Sequence, residues 1–165
     1  MDRDASEKPI VCPSAQPDMA DAKVFGVMTG TQQDGLRVAY LNEVQPVAPD
    51  ILAASGPLEP PEVMRIAAPC MGDGCTHFDG TNCMLATRIA TMLDPVVRSL
   101  PRCAIRPTCR WFKQEGAEAC VRCPQVVTNQ RTPTDLQRRI AEPASLPPRQ
   151  NGSGAPSGTG NAIGG

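Results

Sequence analysis

Aromatic side chains are scarce in this sequence: Phe25, Tyr40, Phe78, Trp111 and Phe112 are the whole supply among 165 residues. That excludes a core built on large rings, and it leaves no platform on which successive nucleic-acid bases would stack. Histidine occurs once, at His77, so a Ser/His/Asp arrangement has no basis. No apolar run approaches the ~20 residues of a membrane-spanning helix. The opening MDRDASEKPIVCPSAQPDMADAK alternates charges with prolines where a secretory signal needs an apolar stretch. The glycines form neither a P-loop nor a dinucleotide fingerprint. Asp73 and Asp79 sit in glycine-rich turns without a base or nucleophile beside them, so no acid–base pair argues for an enzyme. These absences give the expectation of a soluble, cytoplasmic protein with no membrane partner.

What the chain has instead is 18 prolines, 14 glycines and 8 cysteines. Seven of the cysteines, Cys70, Cys75, Cys83, Cys103, Cys109, Cys120 and Cys123, lie within 54 residues. In a reducing compartment such a set serves metal binding or redox chemistry rather than disulfides. A small chain that buries little apolar surface also gains stability from such crosslinks. The net charge is only -1, yet residues 1–79 carry 12 acidic and 5 basic side chains, and residues 80–165 carry 5 acidic and 11 basic. Positive charge therefore accompanies the second half of the cysteine region.

The pattern predicts an α+β protein: a small β-hairpin-containing N-terminal part, then a helical, cysteine-rich metal-binding part, with disordered termini. Residues 1–21 are expected to be a flexible leader, 22–142 one domain whose metal-binding part spans 68–125, and 143–165 a disordered Pro/Gly/Ser-rich tail. KVFGVMTG (23–30) and LRVAYL (36–41) predict a hairpin turning at Asp34-Gly35. A helical turn is expected near residues 50–54, and EVMRIA (62–67) predicts a third strand. A helix is expected from Asn82, capped by Thr81 or Asn82, with Leu85, Ile89, Met92 and Leu93 on one face. Pro95 is expected to kink it or to open a second helix to Leu100, capped by Asp94. Two further helices are predicted, over 109–119, weakened by Gly116, and from Thr132 as N-cap through Ala141.

The cysteine spacing is C-x4-C-x7-C-x19-C-x5-C-x10-C-x2-C. Only Cys120 and Cys123 have the two-residue gap that turns adjacent thiolates onto one metal. With Cys103 and Cys109 upstream they complete a four-thiolate set. Cys70, Cys75 and Cys83 make a three-thiolate set in a glycine-rich loop, where His77, or the distant Cys12 in the expected leader, is a candidate fourth ligand. Two sites, one cluster drawing on both sets, or a cluster with a structural zinc all fit the spacing. Irregular gaps suit an iron-sulfur cluster, which accepts ligands from several loops, better than zinc, which favours short pairs. The first expectation is therefore an iron-sulfur cluster with an electron-transfer, redox-sensing or accessory role. The alternative is a zinc-stabilised module that binds a protein or nucleic acid.

The stretches CTHFDGTNC and IRPTCRWF resemble the C-x2-F-x4-C and R-P-x2-C-R-x-F layout of small cysteine-rich proteins described as zinc- or iron-chelating. The resemblance implies metal binding, with Cys75, Cys83 and Cys109 at ligand positions. Around the thiolates, Arg102, Arg106 and Arg110, with Arg98, are expected to offset negative charge from loops, since Pro101 and Pro107 interrupt any helix. Trp111, beside Cys109, is expected to shield the cofactor from water. A protein partner is expected ahead of nucleic acid, for which Arg98–Lys113 is the candidate surface.

Overall fold

The computed structural model describes residues 8–31 and 33–142. The strands are β1 (Val11–Cys12), β2 (Lys23–Thr29), β3 (Arg37–Pro46) and β4 (Met64–Pro69). They form one antiparallel sheet in the order β1-β4-β2-β3. Two short helices, α1 (Pro49–Ala53) and α2 (Pro60–Val63), connect β3 to β4. The cysteine-rich half follows as α3 (Met84–Met92), α4 (Arg110–Glu115), α5 (Ala117–Cys120) and α6 (Asp135–Ala141). The fold is mixed α+β, as expected, and no helix among the described residues is long and apolar enough to cross a membrane.

The hairpin forms where alternation and turn chemistry agree. Gly35 takes φ 89°, a conformation costly for any residue with a Cβ, and Thr29 pairs with Arg37 across the turn. β4 is central and buried from Met64 to Ala68. Its two faces serve different cores because successive strand side chains point opposite ways. Met64, Ile66 and Ala68 pack with Ala15, Ala22 and Val24, while Ala67 faces Phe25, Ala86, Ile89, Trp111 and Cys123. The sheet thus provides the floor on which the cysteine-rich half sits.

Several expectations differ from the structure. Residues 10–15 of the expected leader are tied to the sheet: β1 pairs with β4, Ala15 N–H donates to the Ile66 carbonyl at 2.9 Å, and Cys70 N–H donates to the Ile10 carbonyl at 2.8 Å. Two residues of strand suffice because they add to a preformed edge. No helix forms over 95–100. There the backbone groups are satisfied across the fold: Val96 N–H donates to the Val121 carbonyl at 2.9 Å, Arg122 Nε to the Leu93 carbonyl at 2.6 Å, and Gln125 Nε2 to the Asp94 carbonyl at 2.7 Å. Helix α3 is capped by Cys83, whose Sγ accepts from Ala86 N–H. The neighbouring turn belongs to Asp79, whose Oδ1 accepts from the amides of Thr81 and Asn82. Helix α6 starts two residues late, at the Thr134–Gln137 capping box. Residues 1–7 and the tail 143–165 lie outside the described residues.

Candidate functional site

Cys103, Cys109, Cys120 and Cys123 line one small cavity, one of the groupings that the spacing left open. Cys103 precedes and Cys109 follows a single turn at Arg106–Thr108, Cys120 ends α5, and Cys123 opens the turn Cys123–Gln125. Gly116, at φ 65°, breaks the expected single helix into α4 and α5 and so returns Cys120 towards Cys109. The four thiols line one tight cavity of about 20 Å³ with Phe25, Tyr40, Arg106, Trp111 and Phe112. The cavity as it stands holds about one water-sized group, so a cluster would need the elements that carry the four thiols to move apart.

Burial pushes the Cys109 thiol up to about 12, the Phe112 amide pulls it back, and the neighbouring Cys123 pushes it further. Burial likewise raises Cys103 and Cys120, the latter opposed by the Arg106 guanidinium. The Tyr40 hydroxyl, hydrogen-bonded to Cys123, is also raised by burial first. Two buried donors of this wall, Arg106 Nε and the Trp111 indole Nε1, have no hydrogen-bond partner. An orphaned buried N–H is costly, and sulfur acceptors brought by a thiolate-bound cofactor would satisfy both. On donor set and orphaned donors the residues fit such a group.

Cys70, Cys75 and Cys83 belong to a different and far larger cavity of about 550 Å³, and Cys12 joins them there. Cys12 ends β1, Cys70 follows β4, Cys75 follows the turn Gly72–Gly74, and Cys83 caps α3. Backbone amides point at three of the sulfurs: Ser14 N to Cys12 Sγ at 3.4 Å, His77 N to Cys75 Sγ at 3.5 Å, and Ala86 N to Cys83 Sγ at 3.5 Å. Cys12 is pushed up to about 12, by burial first, with the Ser14 amide opposing and Cys83, Cys70 and Cys75 adding to it. Gln114 of α4 holds Cys83 by both backbone groups, at 2.7 and 2.8 Å.

His77 does not complete this set through Nδ1. Arg88 NH2 lies 2.8 Å from that nitrogen, and since a guanidinium only donates, Nδ1 is the acceptor. Burial and the same arginine hold the His77 pKa below its ordinary value. Nor do Cys75, Cys83 and Cys109 share a site: the first two line the large cavity and Cys109 the small one.

Of the expected arginines, Arg106 lines the tight cavity and stacks over Phe112, and Arg110 lines the large one and stacks over Phe78. Arg102 is exposed and lines neither. With Arg106 and Arg110 turned inward, Arg98, Arg102 and Lys113 are the basic side chains that remain exposed on the candidate nucleic-acid surface. Trp111 is 1% exposed and lines the tight cavity.

Sequence reasoning missed Arg65, which is fully buried. Its guanidinium donates to the carbonyls of Pro13, Cys123 and Val126 and lies between the rings of Phe25 and Trp111, 5.3 and 5.6 Å from their centroids. The available signal was a lone arginine inside the apolar run EVMRIA. All eight cysteines are free thiols. As the side chains stand, no three His, Cys, Asp or Glu donors among the described residues are placed to hold a single ion. A cluster asks for less convergence, since its thiolates are shared out among several irons. No protein-family model, curated protein or solved structure matches the chain.

Proposed function

We propose that this is a small iron-sulfur protein with an electron-transfer or accessory redox role, its cluster held by Cys103, Cys109, Cys120 and Cys123. The observation that carries the reading is the meeting of four thiols with two orphaned N–H donors in one buried pocket. Bound there, a cluster supplies one-electron chemistry. The chain's own residues do the rest: Arg106 offsets thiolate charge, Trp111 and Phe112 exclude water, and the surrounding amides donate to sulfur.

Cys120→Ser and Cys123→Ser test it. Each variant, purified without oxygen, is expected to lose the iron of this site and to unfold the α4–α5 region, because ligand loss and folding are linked in small metal domains. Iron content equal to that of the unaltered protein would refute the assignment. Loss of one equivalent of zinc in place of iron would favour the zinc-stabilised module.

A further inference from the structure

We propose that Cys12, Cys70, Cys75 and Cys83 form a second, self-contained four-thiolate cluster site, with β1 delivering Cys12 as the fourth ligand. The metal rests on the iron-sulfur reading above; the ligand set rests on separate observations. All four thiols line one cavity, whose total volume is about 550 Å³. The other nearby candidate ligand, His77, already uses Nδ1 to accept from Arg88.

The backbone that carries these thiols is held without any metal. Cys70 N–H donates to Ile10 at 2.8 Å, Cys75 N–H to Gly72 at 2.9 Å, Met84 N–H to His77 at 2.7 Å, and Gln114 grips Cys83. The donors for sulfur are in place as well: three amides already point at Sγ atoms, and the buried Arg110 Nε in this cavity wall has no hydrogen-bond partner. Eight cysteines thus divide into two sets of four.

The two sets share a wall. Val11, next to Cys12, makes a backbone bridge to Cys109 of the tight site. Arg65 joins the Pro13 carbonyl, on the other side of Cys12, to the Cys123 carbonyl. Two clusters placed there are neighbours.

The test is the total metal, iron plus zinc, per folded chain in protein purified without oxygen, for the unaltered chain and for Cys12→Ser, Cys75→Ser and Cys120→Ser. Cys12→Ser and Cys75→Ser are each expected to lose roughly half of the metal, and the double variant no more than either, as expected for two four-cysteine clusters of one size. Cys12→Ser combined with Cys120→Ser is expected to lose all of it. Full metal in Cys12→Ser, or full metal in Cys75→Ser with complete loss in Cys120→Ser, would overturn the second site. Zinc in place of iron in the unaltered chain would refute the cluster at both sites, while retention or loss on Cys12→Ser would still decide the ligand set. A readout without substitution guards against misfolding: in the intact metal-loaded protein Cys12 should resist alkylation together with Cys70, Cys75 and Cys83 until a chelator is added. Alkylation of Cys12 at the rate of the stripped protein would refute its role.

Discussion

Replacing Arg65 with methionine removes the one side chain that ties β1, β4 and the Cys123–Gln125 turn together. Methionine preserves length and fills the space between Phe25 and Trp111, but it cannot donate to the carbonyls of Pro13, Cys123 and Val126. A buried acceptor stripped of its donor costs about 1–3 kcal/mol, and bonds from a charged donor lie at the upper end. Three such losses do not add fully, and removing a buried charge recovers some desolvation, so the net cost is on the order of 4 kcal/mol. Against a typical total of about 5–15 kcal/mol that is a large fraction. In urea, with a slope of about 1–2 kcal/mol per molar for a chain of this size, the midpoint should fall by roughly 2 M or more. Far-UV circular dichroism follows the whole fold, and fluorescence of Trp111, the single tryptophan, follows the arginine's own contact. Arg65→Lys, which keeps the charge but not the fork of donors, should fall between the two. A midpoint for Arg65→Met within about 0.3 M of the unaltered protein would refute the clamp, since that is the scale of an ordinary surface substitution.

The metal-free protein should weaken in alkali. Cys12 and Cys109, ordinarily near 9, are pushed up to about 12 by burial, so folding favours their neutral form; that stability is complete below pH 9 and is lost as pH rises from 9 through 12. By this linkage each contributes on the order of 4 kcal/mol at most, so urea midpoints should fall steadily between pH 9 and 11, less so in Cys12→Ser; a flat profile would contradict the burial argument. Gln114→Ala leaves the Cys83 amide and carbonyl without their partner and should cost about 2 kcal/mol by denaturant titration, with a change below a few tenths refuting the anchor. Gly26→Ala drives a Cβ into Val38 Cγ1 at the irregularity between Val24 and Gly26, and should cost about 1–3 kcal/mol; unchanged thermal unfolding would show that the strand yields freely.

Local chemistry made the hairpin legible: alternating residues flank a turn for which Asp34-Gly35 is suited. The third strand was legible in kind but begins at Met64, because Glu59 and Glu62 cap a helical turn over Pro60–Val63. The tight cysteine set was legible because its four members lie close in sequence and α4 and α5 bend back at Gly116. Cys12 stood out only as a distant candidate, since β1 has two residues and forms through non-local pairing with β4. The missing helix after Pro95 has the same origin: side chains of Arg122 and Gln125 satisfy carbonyls that local propensity alone would commit to a helix.

The central claim is that thiolates hold iron and sulfide in this chain. Purification without oxygen, a visible absorption spectrum, and analysis for iron, acid-labile sulfide and zinc on the same sample test it most directly. The account predicts a coloured protein containing iron and sulfide in similar amounts and little zinc. A colourless protein with stoichiometric zinc would contradict it.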